Sequence, residues 1–289
     1  MVGRRLLTIP LFLALTLLLS ALSPLLLILA WLIGRLPGYR GAVPMLGLIL
    51  GYLWCESIGI VTAAAIWLRY GEEREFLDAN YRLQCWWASA LKRIGERCFR
   101  LQFELTGCDT LSGPGVLMLP RHTSIADTLI PMVFYAIPER IRLRYVLKRE
   151  LLLDPCLDIV GNRLPNYFVD RGGEDSVRAA SGVAQLVSDM APYEGLLLYP
   201  EGTRYSVAKV SALRQRWQGN SERLAQLERW RHVLPPRTGG ILAALGTNPG
   251  RDLVFCAHTG FEGSSHFRTL INGAWSGARI RVHFWRIPF

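Results

Sequence analysis

Lysine is nearly missing from this chain. Only Lys92, Lys148 and Lys209 occur among 33 basic residues, so arginine carries almost all of the positive charge behind a net +10. Cysteine is present but scattered. Cys55, Cys85, Cys98, Cys108, Cys156 and Cys256 form no Cys-x-x-Cys pair and share no metal-ligand spacing with histidine. That pattern argues against a disulfide framework and a metal centre, and it fits a reducing compartment. No Gly-x-Ser-x-Gly elbow, Walker loop or dinucleotide fingerprint is present, so a serine-nucleophile lipase and a nucleotide-driven enzyme both lose support. Basic clusters with interleaved aromatics on a recognisable module are also missing, which speaks against nucleic acid. A basic surface of this kind suits anionic lipid, phosphorylated small molecules, coenzyme A or an acidic carrier protein.

Charge itself is lacking at the start. Leu6 to Ile33 is an uncharged, mostly apolar run; as a helix it reaches ~42 Å, against a hydrocarbon core of ~30 Å. A cleaved signal peptide would have a shorter apolar region and a small-x-small site, which is not obvious here. After a turn at Gly34 to Gly41, Ala42 to Leu68 is a second apolar run, broken only by Glu56. Residues 1–68 therefore read as a two-helix membrane hairpin that either spans or dips into one leaflet. Arg4, Arg5, Arg69 and Arg74 flank its ends and Arg35 and Arg40 its turn, which favours both ends in the cytoplasm. Glu56 is either an intramembrane functional carboxylate or a group that faces the other helix or snorkels in a helix that does not span. Residues 69–100 read as an amphipathic connecting helix, with Phe76, Leu83, Trp87, Leu91 and Ile94 at helical spacing. Trp86 and Trp87 suit a membrane interface or a core equally.

From residue 101 to 289 short apolar runs alternate with helical patterns. Strands are expected at Phe103–Leu105, Val116–Leu119, Arg142–Leu147, Tyr167–Val169, Leu196–Tyr199, Leu253–Ala257 and Arg279–Trp285. Helices are expected over 175–190 and over Ser206 to His232, the latter broken near Gly219-Asn220. The fold class is α/β, a mixed central sheet flanked by helices.

Two strands end in loops with chemistry. Leu119-Pro120-Arg121-His122-Thr123-Ser124-Ile125-Ala126-Asp127 places a histidine and an aspartate five apart. Residues three or four apart meet on a helix face, and residues five apart do not. The pair can touch if His122 lies on the strand-to-helix turn and Asp127 in the first helical turn. Ser124 followed by Asp127 reads as such a capped start. Pro131 either breaks this helix or marks the first turn of a later one. Leu196 to Pro200 then runs into Glu201-Gly202-Thr203-Arg204. In open α/β sheets the ligand crevice forms at such carboxyl ends.

His-x-x-x-x-Asp, then Phe168-Val169-Asp170-Arg171, then Glu-Gly-Thr-Arg, in this order, resembles the glycerolipid acyltransferase family, which includes the 1-acylglycerol-3-phosphate and other lysophospholipid acyltransferases. The likeness covers roughly Phe103 to Gly240 and includes Lys148-Arg149-Glu150-Leu151. Arg121 stands where many members have asparagine, and the proline-centred fourth motif is not evident at Leu253 to Ala257. Leu234-Pro235-Pro236-Arg237 resembles the longer, eukaryotic-like branch.

The resemblance implies acyl transfer from acyl-CoA or an acyl carrier protein to a lysophospholipid hydroxyl, with 1-acylglycerol-3-phosphate the first acceptor to test. It implies catalysis by His122 and Asp127 and substrate binding by Lys148, Arg171, Glu201, Gly202, Thr203 and Arg204, with no metal and no cofactor beyond the thioester. His122 would take the hydroxyl proton and Asp127 would orient it. Backbone N–H groups at the start of the following helix are candidate oxyanion donors. Arg204 and Arg171 would grip phosphate, and Glu201 would brace Arg204 or its loop. The expected location is a membrane, the bacterial inner membrane, with the catalytic domain on the cytoplasmic side. A different lysolipid acceptor, a non-catalytic lipid-binding protein of the same fold, and a hydrolase using water at the same base are the competing readings. His232, His258, His266 and His283 are read as structural, although His258 follows a strand and could reach the crevice.

Overall fold

A computed structural model describes residues 2–71, 73–170, 176–262 and 267–289. Its centre is one seven-stranded sheet in the order β1-β7-β6-β2-β5-β3-β4. The strands are β1 (Gln102–Thr106), β2 (Leu117–Pro120), β3 (Arg142–Lys148), β4 (Tyr167–Val169), β5 (Glu194–Leu197), β6 (Leu253–Thr259) and β7 (Arg279–Ile287). All seven expected strands are present. β6, β2, β5, β3 and β4 are mutually parallel, while β7 runs antiparallel to β6 and carries β1 with it. The class is α/β with a mixed sheet.

Position in the sheet explains each sequence pattern. β2 lies between β6 and β5 and is buried at every position, hence its unbroken apolar run. β7 has one face to solvent and alternates strictly from Arg279 to Phe284. One side of the sheet packs Tyr135, Phe99, Phe284 and Met118, all fully buried. Each such side chain contributes about 1.5–3 kcal/mol of burial. The other side packs Leu117 and Leu196 against Val183, Val187 and Ala244.

Three long helices precede the sheet: α1 (Val2–Ile33), α2 (Ala42–Arg69) and α3 (Glu73–Phe99). α1 and α2 are long and apolar enough to cross a membrane. The short α4 (Leu129–Pro131) runs directly into a π-helical turn, Met132–Ala136, so Pro131 closes one helical turn rather than opening a long helix. The remaining helices are α5 (Pro155–Gly161), α6 (Ser176–Ser188), α7 (Val207–Arg216), α8 (Ser221–Arg229), α9 (Thr238–Gly246) and α10 (Phe267–Ile271). The expected break between α7 and α8 occurs where Asn220 caps α8 through Arg223 N.

The hairpin does not stand away from the rest. Arg4 and Arg5 both pair with the fully buried Asp158 of α5, at 2.7 and 3.0 Å. At the start of α2, the N-cap residue Gly41 donates its N–H to Ile271 O at 2.8 Å. That approach is so close that a Cβ on Gly41 would lie 1.9 Å from Leu270 O. Glu56 is fully buried in α2 and accepts from Trp87 Nε1 of α3 and from Cys156 N of α5, at 2.6 and 3.0 Å. Its partners thus lie on α3 and α5, not on the other helix of the hairpin.

Candidate active site

The parallel strands bring their carboxyl ends to one edge, and the motif residues follow those ends. His122 follows β2, Lys148 closes β3, Glu201 to Arg204 follow β5 and His258 lies near the end of β6. Arg171 follows β4 but lies outside the described residues, so its expected phosphate contact has no placement here.

His122 and Asp127 meet. Nδ1 of His122 is 3.0 Å from Oδ2 of Asp127, across a turn that does not become helical until Leu129. The same carboxylate oxygen accepts the backbone N–H groups of Thr123 and Ser124, the second at 2.8 Å. Ser124 Oγ accepts in return from Ala126 N at 3.2 Å. This closes a capping turn that makes the five-residue spacing work. It also corrects one expectation: the N–H groups of Thr123, Ser124 and Ala126 are consumed within the turn and are not free for an oxyanion.

Electrostatics separate the pair. Burial pushes the His122 imidazole below its ordinary value of 6.5; the Asp127 carboxylate pulls upward, and Arg204 and Lys148 push down again. Burial alone would raise Asp127, but the neighbouring His122 and His258 imidazoles prevail and hold its carboxyl at about 2. A neutral imidazole beside a fixed carboxylate is the state a general base requires. With Nδ1 committed to Asp127, Nε2 is the nitrogen left for a substrate. The Tyr199 ring lies against the imidazole, centroids 4.3 Å apart.

Glu201 is a brace, as one of its two expected roles had it. It is 4% exposed. Oε1 accepts from His122 N and Oε2 from Leu234 N, each at 2.8 Å. It ties the histidine turn to the chain returning from α8, and it does not contact Arg204 through these oxygens. Gly202 turns the loop at φ +65, where a Cβ would also press on the Arg237 side chain at 2.8 Å. Lys209 Nζ donates to Thr203 Oγ1 and to Arg204 O, both at 2.7 Å. Lys209 thus joins Lys148 and Arg204 as a third cation in this half of the site, and sequence reading gave it no role.

His258 was read as structural, and the structure brings it to the pair: its Nε2 is 3.0 Å from Asp127 Oδ1. A signal was available. Val254 and Cys256 mark the buried face of β6, and His258 is the next residue on that face, at the strand's carboxyl end. Arg121, standing in the usual asparagine position, holds that end in place. Its Nη1 donates to His258 O at 2.6 Å and to Glu262 Oε1 at 3.1 Å, and its Nε to His232 O at 3.0 Å.

Beside the histidine turn lies an apolar cavity of about 330 Å3. Its walls include Met45, Ile49 and Tyr52 of α2, Leu91 of α3, and Ile125 and Phe134 from the chain after His122. Among the described residues no cluster of His, Cys, Asp or Glu could hold a metal ion.

A polar crevice at parallel strand ends thus lies next to an apolar cavity. Residues 102–245 match the family model described as Acyltransferase. These residues form an acyltransferase domain. The chain's fold is similar to the crystal structure of the 1-acyl-sn-glycerophosphate (LPA) acyltransferase PlsC from Thermotoga maritima, with a TM-score of 0.57 over 86% of each chain and 12% identity. No match is found among curated proteins.

Proposed function

We propose that this acyltransferase is membrane-bound and moves a fatty acyl group from acyl-CoA or an acyl carrier protein to the free hydroxyl of 1-acylglycerol-3-phosphate, giving phosphatidic acid. The observation that carries the reading is the 3.0 Å His122–Asp127 contact, set between the cations Lys148 and Arg204. His122 Nε2 takes the hydroxyl proton as the oxygen attacks the thioester carbonyl. The tetrahedral intermediate collapses with cleavage of the C–S bond, and the imidazolium returns the proton to the departing thiolate. Asp127 stays ionised throughout and stabilises the imidazolium. Both substrates are held together, so positioning supplies much of the rate. Lys148, Thr203, Arg204 and Arg171 bind the acceptor phosphate, Gly202 lets the backbone approach, and Glu201 keeps the loop in register. The apolar cavity receives an acyl chain.

The hairpin, in this reading, lies in one leaflet. Leu6, Leu7, Leu17, Leu18, Leu25 and Ile28 of α1 are exposed apolar side chains that lipid would cover. The Asp158 contact holds the start of α1, and the Ile271 contact the start of α2, against the catalytic domain, and α3, with Lys92, Arg93, Glu96 and Arg97, packs along α2. A perpendicular crossing would drag those charges into hydrocarbon. All six arginines flanking the hairpin then share one aqueous side, which the positive-inside rule makes the cytoplasm.

The test uses full-length protein in lipid with a panel of lysolipids and both thioester donors, the products identified by mass. Phosphatidic acid from 1-acylglycerol-3-phosphate is the expected main product. Free fatty acid alone, or a different lysolipid strongly preferred, overturns the acceptor assignment.

A further inference from the structure

Asp127 has two oxygens, and the acyl-transfer chemistry above uses one. Oδ2 takes His122 and two backbone N–H groups. Oδ1 is buried with the whole residue, which is 1% exposed, and among the described residues only His258 comes within ion-pair distance of it. His258 is itself 3% exposed. Its Nε2 stands 3.0 Å from Oδ1, close but short of hydrogen-bond alignment. Its Nδ1 has no hydrogen-bond partner either, so of the two nitrogens only Nε2 has a carboxylate oxygen at this distance.

That asymmetry selects a tautomer. A proton on Nδ1 would be a buried, unpaired donor, whereas a bare Nδ1 is the cheaper orphan. A proton on Nε2 points at a carboxylate. The neutral ring with Nε2–H is therefore the form the pocket accepts. The ring is held from behind, since Arg121 bonds its carbonyl and Phe261 meets it edge-on with centroids 5.7 Å apart.

We infer that His258 is a positioning residue for acyl transfer, donating from Nε2 to Asp127 Oδ1 so that one carboxylate is shared between two imidazoles. The inference rests on the proposed His122–Asp127 base. His258 keeps its proton throughout, so it is neither base nor acid. Two consequences follow from sharing. The carboxylate cannot swing away from His122, because both oxygens are tied. It is also a weaker acceptor toward His122 than a carboxylate with a bare oxygen, so the imidazole stays less basic and releases its proton to the departing thiolate more readily.

Other charged and titratable groups face this cluster. Tyr199 and Glu201 come from the β5 end, Arg121 from the β2 end, and Cys256 and Glu262 from β6 and beyond it. Lys148 and Arg204 lie across His122. None of them reaches Oδ1 with a donor, so none can substitute for His258.

The experiment compares full-length wild type with His258→Ala, His258→Gln and His122→Ala in lipid. Acyl transfer is followed against pH with a phosphodiester lysolipid whose headgroup does not titrate in the range. His258→Ala is expected to lower kcat about ten- to hundredfold with little change in either KM. It should also move the acid limb of kcat/KM upward by about one pH unit. Glutamine can place an N–H near Oδ1, so His258→Gln should recover most of both effects. NMR titration of labelled His122 in the glutamine and wild-type proteins gives a readout independent of turnover, with near-identical midpoints expected. If alanine fails to fold, a glutamine variant with wild-type kcat and midpoint supports the role, and one that folds but stays slow overturns it. Equal losses in alanine and glutamine without a shifted limb, or wild-type behaviour of alanine, also overturn it. Persistent activity in His122→Ala condemns the base assignment instead, which separates the two failures.

Discussion

The two halves of the site are built differently. On the base side Asp127 and Glu201 are buried; Asp127 Oδ2 takes His122 and two backbone N–H groups, both oxygens of Glu201 take backbone N–H groups, and His258 Nε2 lies 3.0 Å from Asp127 Oδ1. On the grip side Lys148, Thr203 and Arg204 are half-exposed, and a lysine side chain stitches the loop. The side proposed for chemistry is buried, and the side proposed for recognition is open to solvent.

The largest expected effect breaks the buried half. His122→Ala should lower acyl transfer on the order of a hundred- to ten-thousandfold. Asp127→Asn should be similarly severe despite its near-identical shape, because it loses the charge and invites the wrong tautomer. Both should fold and stay on membranes; circular dichroism and vesicle flotation check this. An asparagine variant close to wild type would show that the convergence on Asp127 is architecture alone.

An intermediate effect probes the grip. Arg204→Ala removes a charge-assisted contact of roughly 1.5–3 kcal/mol, about ten- to two-hundredfold in kcat/KM. Arg204→Lys keeps the charge, loses the fork and should recover part of it. The loss should be large for 1-acylglycerol-3-phosphate and small for a monoacylglycerol. Equal losses on both acceptors would make Arg204 scaffold and erase the contrast between the halves.

The smallest effect is a displacement in pH. His122 acts as the neutral form, so activity falls as pH drops through its folded-state value, which lies below 6.5. The acid limb of kcat/KM on a phosphodiester acceptor should therefore sit below that of an unperturbed histidine. A limb above 6.5 would mean that the carboxylate outweighs burial and the two cations.

Most of the sheet was legible because the central strands carry apolar runs and β7 alternates apolar with polar residues. The His122 turn was legible because its spacing permits one geometry only. Other parts were hidden by the same logic. α5 is a single short helix, cued only by Asp154-Pro155 at its cap, and α9 begins on Thr238-Gly239-Gly240, which reads as loop. His258 was hidden because its partner lies 131 residues earlier (258 − 127) and strand alternation says which face it is on, not whom it meets. α1 and α2 look alike by hydropathy. Yet α2 buries Leu53, Ile60, Ala63 and Glu56 against α3 and α5, while α1 leaves most leucines uncovered. An apolar side chain facing protein and one facing lipid carry the same letter.

The wall that α2 lends to the apolar cavity bears on how the chain is made. Met45, Ile49 and Tyr52 leave the ribosome well before His122 and more than 100 residues before Asp158, whose carboxylate clasps Arg4 and Arg5. Domains are completed in the order of synthesis, N-terminal parts first. In the proposed membrane-bound protein the hairpin would meet lipid before the sheet exists, and the sheet would close onto a helix already seated at the bilayer. The apolar cavity would then be assembled at the membrane surface, with its oldest wall supplied by the segment that arrived first.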